Sequence, residues 1–393
     1  MISVQEAVLL FKKHMPDFGS ATDHLSDLSS GELWQDLVAD RDYPPFHRVM
    51  MDGIAVNFNV YQEGKREFKI AGICPAGAPA GILTDPSSCL EVMTGAPLPE
   101  GSDLIIPYEH IKLENGFAQV HLEVERAHME NVHFKGSDAS FGDVLLKAGA
   151  KLNGPHWGIA TSLGYSKIAT RRKPRINIIS TGDELVAVDA IPLKHQIRRS
   201  NAYALKASLQ NFNYSEVELS HLPDEVSAIE EHYQAQKQIY DVLIYSGGVS
   251  KGKFDYLPAT WKKLGVTEYF HGVSQRPGKP LWFGIDHSSQ TTVIGLPGNP
   301  VSSLVCLHRF FLEHSEMYAE LAEEIIFKKD LTYFVPVKIE YTKSGKMRAH
   351  PLKIKNSGEF SALAESSGFL ELPKDESVFK QGDIFLFHPW RQM

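Results

Sequence analysis

The sequence predicts a multidomain protein of the α/β plus β class, and three observations support this. The chain has 393 residues, which is too long for one ordinary domain. Between residues 175 and 312, apolar strand-like runs alternate with helical patterns, which is typical of a parallel sheet covered by helices on both faces. Before and after this region, short β-type runs broken by Gly and Pro predict mostly β modules.

The N-terminal part of the chain begins with a predicted helix. Ser3 and Glu6 form a capping-box pattern ahead of apolar residues at helical spacing. Residues 46–139 then hold β-type runs, for example at 68–73 and 120–124, and predict a mostly β module. Residues 142–170 return to helical patterning.

The alternating region starts at residue 175. Its predicted strands are residues 175–180, 216–219, 242–245 and 292–294, and its predicted helices are residues 202–211, 225–238 and 301–312. Beyond residue 327, the alternation at 334–341 and the short segment 383–387 predict a small β-barrel or sandwich.

Composition and charge narrow the class of protein. Hydrophobic residues make up 43% and charged residues 22%, as in folded globular proteins, and the net charge of −8 argues against nucleic-acid binding. The three cysteines have no disulfide or metal spacing, which favours a reducing compartment. We find no signal-peptide pattern and no apolar run that could span a membrane. A cytoplasmic protein without a nucleic-acid or membrane partner is therefore expected.

Three glycine-bearing loops follow predicted strands of the alternating region. They are Ser180-Thr181-Gly182-Asp183-Glu184, Ser246-Gly247-Gly248-Val249-Ser250 and Gly295-Leu296-Pro297-Gly298-Asn299-Pro300. In an open parallel sheet all three lie at the carboxyl edge, where such folds bind ligands. Glycine there lets backbone N–H groups approach an anion closely. Each loop alone also fits an ordinary strand-to-helix turn, whereas their convergence favours a binding site.

Carboxylates lie inside or beside two of these loops, at Asp183, Glu184 and Asp255. A hard divalent cation that holds a phosphate needs a few oxygen ligands plus water. The sequence therefore suggests a magnesium-assisted phosphate reaction. The alternative, that Asp183 caps a turn and Asp255 is solvated, stays open.

Five segments occur along the chain in a fixed order. They are Pro44-Pro45-Phe46 through Met51-Asp52-Gly53-Ile54-Ala55-Val56, Met93-Thr94-Gly95-Ala96-Pro97-Leu98-Pro99, Ser180-Thr181-Gly182-Asp183-Glu184-Leu185, residues 246–250 and residues 295–300. This series resembles that of molybdopterin molybdenumtransferases, the bacterial MoeA proteins and the E domain of gephyrin. The resemblance covers essentially the whole chain, and the order of the segments is more specific than any one of them.

The resemblance implies a domain organisation. A helical segment, residues 1–45 and 140–170, is split around an inserted mostly β domain at 46–139. An α/β molybdopterin-binding domain follows at 171–326, and a small C-terminal β-barrel at 327–393. The family resemblance also implies an elongated subunit and a homodimer, with the active cleft between the α/β domain of one subunit and the β-insert of the other.

The resemblance further implies a reaction and its residues. Molybdate is inserted into adenylylated molybdopterin, with Mg²⁺, to give molybdenum cofactor and AMP, and transient contact with the adenylyltransferase is implied. The family's catalytic positions match Asp52, Thr94, Asp138, Glu184, Asp224 and Asp255, and the implied metal ligands are Asp52, Glu184 and Asp255. The implied binding positions for pterin phosphate and nucleotide are Thr181, Gly182, Ser246, Gly247, Gly248, Ser250, Arg276, Lys279, Pro297, Gly298, Asn299 and Pro300.

Several positions depart from the family pattern. The family usually has Asp, Ser, Ala and Tyr where this chain has His47, Val49, Met50 and Ile54. It has an acidic residue where Arg199 and Lys253 stand, and lysines where Gly272 and Arg276 stand. We hypothesise that Arg199, together with Lys253, supplies the anion-binding charge lost at Gly272. The alternative is that both cations are solvated or paired with Asp183 or Glu184.

Three other functions are compatible with parts of the sequence. One is a paralogue that binds molybdopterin or nucleotide without inserting metal, and retention of Asp52, Glu184 and Asp255 argues against it. Another is a scaffold protein, but no partner-binding linker is evident. The third is an enzyme that shares only the α/β domain, such as a nicotinamide-nucleotide amidase. The segments around Asp52 and at residues 93–99 lie outside that domain and argue against it.

Overall fold

The structure is a computed structural model that describes residues 1–26, 28, 31–121, 125–250, 255–353, 356 and 358–391, without the side chains of Phe360 and Ala362. It divides into two compact units. One consists of Met1–Gly19 with Arg172–Met393, and the other of Ser20–Arg171. We call the first the α/β–barrel unit and the second the insert unit.

The first helix, α1 (Val4–His14), has the predicted capping box. The Ser3 hydroxyl accepts from the Glu6 backbone N–H, and the Glu6 carboxylate accepts from the Ser3 N–H. Val4, Ala7 and Phe11 are buried in the core of the α/β–barrel unit. The capping and the apolar spacing read from the sequence are therefore both confirmed for this helix.

The insert unit is mostly β, and within it residues 46–139 have the mostly β structure that the sequence predicted. Its main sheet has six strands in the order β7-β4-β6-β5-β9-β8, and three two-stranded pairs, β1 with β12, β3 with β10, and β2 with β11, complete it. The strands are β1 Ser20–His24, β2 Leu37–Val38, β3 Arg48–Val49, β4 Gly53–Val56, β5 Glu67–Cys74, β6 Ser88–Val92, β7 Leu104–Pro107, β8 Ile111–Glu114, β9 Phe117–Val120, β10 Val132–His133, β11 Val144–Leu146 and β12 Lys167–Arg171. The helices are α2 Phe58–Gln62 and α3 Gly154–Ser162, with a 3-10 turn at Tyr108–His110.

The structure of the insert unit differs from the sequence expectation at residues 142–170 and covers only part of the strand expected at residues 120–124. Residues 142–170 were expected to be helical, but only α3 is a helix there. The expectation is wrong at both ends, because β11 and β12 pair with β2 and β1, strands more than 100 residues earlier. Such distant pairing outweighs local periodicity. Of the expected strand at 120–124, β9 includes Val120, and residues 122–124 lie outside the described residues.

The α/β region forms a six-stranded sheet in the order β16-β13-β17-β21-β20-β18. Its strands and neighbouring short strands are β13 Ile176–Thr181, β14 Leu185–Val186, β15 Ile197–Arg198, β16 Val217–Leu222, β17 Val242–Ser246, β18 Thr267–His271, β19 Gln275–Arg276, β20 Trp282–Asp286 and β21 Thr291–Leu296. The four strands β16, β13, β17 and β21 are parallel, as predicted. At the other end of the sheet, β20 pairs antiparallel with both β21 and the edge strand β18, which the strand–helix alternation did not predict.

Helices cover both faces of this sheet, as expected. They are α4 Asn201–Asn211, α5 Val226–Gln236, α6 Leu257–Lys263 and α7 Pro300–Cys306, the last followed by a π-helical turn at Leu307–Phe311. Ile178 and Ile244 pack in the same cluster as α4 and α7 residues. Their sequence neighbours Ile179 and Tyr245 pack in a second cluster with α5 and α6 residues. Successive strand residues thus face opposite layers.

The C-terminal part is a closed five-stranded β-barrel. Strands pair in the order β24-β25-β22-β28-β26, and pairing of β26 with β24 closes the ring. The strands are β22 Tyr318–Leu321, β23 Ile325–Ile326, β24 Thr332–Tyr341, β25 Met347–Pro351, β26 Gly368–Leu372, β27 Val378–Phe379 and β28 Ile384–Pro389, with a 3-10 turn at Phe360–Glu365. Because β22 is part of the ring, the barrel starts nine residues before the expected domain start at residue 327.

The fold class predicted from the sequence is confirmed by these elements. The exact four-part division remains a prediction. Among the described helices, none is long and apolar enough to cross a membrane.

Candidate active site

The three glycine-bearing loops come together in the α/β–barrel unit. Strands β13, β17 and β21 are adjacent and parallel, so the loops that follow them leave the same edge of the sheet. The loops surround a cavity of about 350 Å³. Candidate residues that line it are Thr181, Gly182, Glu184, Asp224, Ser246, Gly247, Gly248, Ser250, Asp255, Pro297, Gly298 and Pro300.

The second loop requires glycine for its close approach to its neighbours. Gly248 has a φ of 65°, a conformation that side chains rarely adopt. A Cβ atom there would lie 2.9 Å from Leu257 Cδ1 and 3.2 Å from Thr181 Oγ1. The loop after β17 therefore packs directly against the loop after β13, and any larger residue would push them apart.

Hydrogen bonds from one asparagine connect two of the loops. Asn201, the first residue of α4, donates from Nδ2 to Gly298 O at 2.7 Å and to Ser246 Oγ at 3.2 Å. On the other side of the cavity, His221 Nε2 lies 3.2 Å from Gly182 O. Neither residue was a site candidate from the sequence. The only signal for Asn201 was its place at the start of a helix in the alternating region.

A hydroxyl group at the cavity has no protein partner. Thr181 is only 5% exposed, yet its Oγ1 makes no hydrogen bond within the described part of the chain. A buried hydroxyl without a partner destabilises a fold by about 1–3 kcal/mol. Such an orphaned group in a cavity wall is expected where a ligand supplies the missing partner.

Carboxylates gather on one side of the cavity. Glu184, Asp224 and Asp255 line it, and the Asp224 backbone N–H donates to Asp183 Oδ1 at 3.2 Å. Burial raises the pKa of the Asp224 carboxyl above its ordinary value. The neighbouring carboxylates raise it further, in the order Asp183, Glu184 and Asp255. This mutual repulsion is relieved by a bound cation.

The donor set suits Mg²⁺ better than a metal that needs an all-protein cage. Nowhere in the described residues do three or more His, Cys, Asp or Glu side chains form a metal site. Mg²⁺ is commonly held by one or two carboxylates plus water and substrate phosphates. Of the three candidate ligands, Glu184 and Asp255 line the cavity, whereas Asp52 belongs to the insert unit.

Three candidate binding residues do not line the cavity. Arg276 lies in β19, which pairs with β24 of the barrel, and Lys279 is exposed. Asn299 is the N-cap residue of α7, which begins at Pro300 as predicted. The helix start read from the sequence is therefore confirmed, although only Pro300 of the pair lines the cavity.

In the insert unit, Asp52 is held by Thr94. Asp52 Oδ1 accepts from the Thr94 backbone N–H at 2.6 Å and from its hydroxyl at 2.7 Å. These two donors, the backbone N–H first, lower the pKa of the Asp52 carboxyl. Gly53, the next residue, starts β4, where a Cβ atom would collide with the Ile106 carbonyl oxygen. The Asp52-Gly53 pair thus combines an exposed ionised carboxylate with a strand that tolerates no side chain.

Asp138 is held by a second network in the same unit. His133 Nε2 lies 2.8 Å from Asp138 Oδ1, and Arg48 Nη2 lies 2.9 Å from His133 Nδ1. Because the arginine can only donate, Nδ1 is the acceptor and Nε2 carries the proton donated to Asp138. The hydrogen bond from His133 lowers the pKa of the Asp138 carboxyl. The sequence did not indicate a role for His133.

Sequence models of protein families match three consecutive regions. Residues 2–164 match "MoeA N-terminal region (domain I and II)", residues 177–315 match "Probable molybdopterin binding domain", and residues 318–390 match "MoeA C-terminal region (domain IV)". The chain is also 52% identical over 390 residues to a molybdopterin molybdenumtransferase of Synechocystis, across 99% of this chain and all of that protein. The chain belongs to the molybdopterin molybdenumtransferase family.

More distant members of the molybdopterin molybdenumtransferase family agree with this. The Bacillus subtilis enzyme is 30% identical over 372 residues, which cover 89% of this chain and 85% of that protein. The crystal structure of a molybdopterin biosynthesis MoeA protein from Pyrococcus horikoshii has the same fold, with a TM-score of 0.82. It is 24% identical and covers 99% of this chain and all of that one.

The expected family, fold class and enzyme class are thereby confirmed. An enzyme that shares only the α/β domain is excluded, because MoeA regions match on both sides of that domain. The roles assigned to individual site residues remain predictions.

The positions that depart from the family pattern have different environments. His47 Nδ1 accepts from the Lys135 backbone N–H at 3.2 Å, and Val49 is buried. The Gly272 carbonyl accepts from the Ile2 N–H, so this glycine contributes backbone contacts to α1's start. Arg199 lines the cavity. Lys253 lies outside the described residues.

Proposed function

We propose that this chain inserts molybdate into adenylylated molybdopterin, giving molybdenum cofactor and AMP. In this reaction one water molecule supplies the oxygen that cleaves the bond between the pterin phosphate and AMP. The two dithiolene sulfurs replace two oxygens on molybdenum, and those oxygens leave as two water molecules with protons from the thiols and the medium. The observation that carries the proposal is the single cavity in which three glycine-bearing loops and three carboxylates meet.

The loops suit the phosphates of such a substrate. Backbone N–H groups of loops at a sheet's carboxyl edge bind phosphate oxygens. We assign the Thr181 hydroxyl to the same role, because it is buried and has no hydrogen-bond partner among the residues that the structure describes. The remaining binding candidates that line the cavity, among them Ser246, Ser250 and Gly298, would contact the pterin phosphate or nucleotide.

The carboxylates suit a magnesium ion. Glu184 and Asp255 would hold Mg²⁺, and Asp224 would tune their charge through the repulsion that raises its own pKa. Bound Mg²⁺ would polarise the phosphate linkage and offset the charge of the leaving AMP. Asp52, kept ionised by Thr94, and Asp138, kept ionised by His133, would act on the molybdate end of the reaction.

We further propose that the chain works as a homodimer in the cytoplasm and receives its substrate from an adenylyltransferase. Support for the dimer comes from the family resemblance and from the carboxylates, which belong to two separate compact units. Support for a reducing compartment comes from the three cysteines, all buried and free of disulfides.

The decisive experiment measures AMP release from adenylylated molybdopterin, with and without molybdate and Mg²⁺. Wild-type protein should release AMP only when both are present. Glu184→Gln should lose this activity. Glu230→Gln, which removes a half-buried carboxylate paired with Lys263 at 2.6 Å, is the matched control and should retain it. Substrate binding without AMP release by the wild type would instead identify a non-catalytic binder.

A further inference from the structure

Arg199 occupies a fixed position at the cavity. It directly follows β15, and its backbone N–H donates to Val186 O at 3.1 Å. Ser200, the N-cap residue of α4, comes next. The backbone is therefore held on both sides, by the β14–β15 pair and by an 11-residue helix. A side chain placed this way is preorganised, because little backbone freedom is left to lose on binding.

The guanidinium of Arg199 lacks the partners that its neighbour has. Arg198 Nε donates to the Ala190 carbonyl at 3.1 Å. Arg199 Nε is buried and makes no hydrogen bond to any residue that the structure describes. The two consecutive arginines thus differ at Nε: that of Arg198 donates to a backbone carbonyl, and that of Arg199 has no partner among the described residues.

Arg199 is also unpaired in charge. Glu184, Asp224 and Asp255 line the same cavity, yet none of the ion pairs among the described residues includes Arg199. A guanidinium that served only to neutralise these carboxylates would be expected to contact one of them. The alternative considered from the sequence, pairing with Asp183 or Glu184, therefore receives no support from the geometry.

A second unsatisfied group lines the same cavity. The Thr181 hydroxyl is buried without a partner and can donate to an oxygen atom. Buried N–H and O–H groups that lack partners are costly to maintain. Two of them in one cavity wall point to an acceptor-rich ligand that completes both.

We propose that Arg199 binds a tetrahedral oxyanion in this cavity and determines the affinity of the site for it. The proposal rests on the proposed function and assigns to it one specific anion contact. Guanidinium groups bind such anions through two parallel N–H···O bonds, which uses the unpartnered Nε together with a terminal nitrogen. Molybdate and the phosphate of the nucleotide both present this geometry.

The test measures binding rather than turnover. Dissociation constants for sodium molybdate and for AMP are determined by calorimetry with Mg²⁺ present, on the wild type, Arg199→Gln, Arg199→Lys and Arg198→Gln. Arg199→Gln should weaken binding of one of the two anions by about ten- to a hundredfold, the range for losing a charged hydrogen bond. The anion whose affinity falls, molybdate or AMP, is the one that Arg199 binds.

The other two variants separate a specific contact from a general change in charge. Arg199→Lys keeps the charge but loses the planar fork, so we expect a loss of about three- to tenfold. Arg198→Gln removes the same charge from a side chain that also lines the cavity. Because Arg198 Nε already donates to the Ala190 carbonyl, the effect should stay below about threefold. Thermal unfolding of Arg199→Gln should occur at or above the wild-type temperature, because an unsatisfied buried group has been removed.

Three results would overturn the proposal. They are unchanged affinity for both anions in Arg199→Gln, an equal loss in Arg198→Gln, or a clear drop in the thermal stability of Arg199→Gln that marks a structural role. Each is distinguishable from failure of the proposed function, in which the wild type itself would release no AMP.

Discussion

The surroundings of the carboxylates have opposite effects in the two units: they disfavour the ionised form in one and favour it in the other. In the α/β–barrel unit, burial and neighbouring carboxylates raise the pKa of Asp224. In the insert unit, hydrogen-bond donors lower the pKa values of Asp52 and Asp138. In the first set the ionised form of Asp224 is destabilised, and a nearby cation would stabilise it. The second is already balanced by the protein's own N–H and O–H groups.

This difference indicates different tasks. A cluster of repelling carboxylates next to unsatisfied donors, such as Thr181 and Arg199, is arranged for a ligand that carries both a cation and an anion. A magnesium-bound phosphate is such a ligand. An exposed carboxylate held ionised and oriented, as at Asp52, is arranged to act as a fixed negative charge or proton acceptor.

The largest expected effect comes from removing one carboxylate of each set. Asp52→Ala and Glu184→Ala should each reduce AMP release by about a hundredfold or more, because each removes several kcal/mol of transition-state stabilisation. Both proteins should unfold at close to the wild-type temperature, since both side chains are exposed.

Mixing these two inactive variants tests whether both sets serve one reaction. In a symmetric dimer with shared sites, random exchange makes half the dimers hybrid with one intact site each, so roughly a quarter of wild-type activity should return. No recovery after confirmed subunit exchange would mean that the two sets do not act together.

A smaller effect is expected from the unsatisfied hydroxyl. Thr181→Val keeps the shape and should weaken substrate binding by up to about tenfold, the value of one neutral hydrogen bond. Its unfolding temperature should be unchanged or higher, because the buried hydroxyl has no partner to lose. Thr260→Val is the control. Its hydroxyl donates to Tyr256 O at 2.9 Å, so this change should lower stability and leave binding unchanged. If Thr181→Val and Thr260→Val had the same effects on substrate binding and unfolding temperature, the Thr181 hydroxyl would have no special role at the cavity.

The pH dependence of activity tests the carboxylates of the insert unit, whose pKa values are lowered by hydrogen-bond donors. His133→Ala removes the donor that lowers the pKa of Asp138, so that pKa should rise toward its ordinary value. If ionised Asp138 is required, the acid limb of the rate profile moves to higher pH. The rate near neutral pH should fall by only about threefold, because Asp138 is exposed and its pairing with His133 is weakened by solvent. His128→Ala, which breaks a similar pair with Asp103, should leave the acid limb in place.

The sequence predicted the local elements and the meeting of the loops. Runs such as β13 and β17 are mostly apolar and are buried over their whole length, and parallel pairing of neighbouring strands necessarily brings their carboxyl ends together. The antiparallel strand β20, which lies between β21 and β18, was not predicted. All of its residues are buried, as in the parallel strands, so its sequence does not show its direction. Its direction depends on pairing with β21 and β18 rather than on its own residues.

Part of the site was predictable because parallel strands end at the same edge of the sheet. Loop glycines and carboxylates follow strands and could be placed at one edge of the sheet. Hydrogen-bond partners could not, because they depend on side-chain positions across distant segments, as for Asn201 with Gly298 or His133 with Arg48. The absence of a partner for Thr181 within the described residues is likewise a property of packing.

The smallest expected effect is on the unfolding temperature when Asp224 or Asp52 is replaced by asparagine. It tests directly whether the carboxylates of the two units differ. Asp224 has a folded-state pKa above the ordinary 3.8, so its ionised form destabilises the fold at neutral pH. Asp52 has a folded-state pKa below 3.8, so its ionised form stabilises the fold above that pH. Relative to wild type at pH 7, Asp224→Asn should therefore unfold about 1–2 °C higher and Asp52→Asn slightly lower.

Both differences in unfolding temperature should disappear as the pH is lowered, but at different pH values. As the pH falls through the raised pKa of Asp224, the wild-type carboxyl becomes protonated and loses its penalty, so the advantage of Asp224→Asn shrinks first. The deficit of Asp52→Asn persists until the pH falls below 3.8 and through the lowered pKa of Asp52. Thermal unfolding of the three proteins from pH 7 to pH 3 measures both. If the two variants shift the unfolding temperature with the same sign at pH 7, the carboxylates of the two units are not balanced differently. Added Mg²⁺ sharpens the test, because it should raise the stability of the wild type and leave Asp224→Asn less affected if the cavity carboxylates hold the ion.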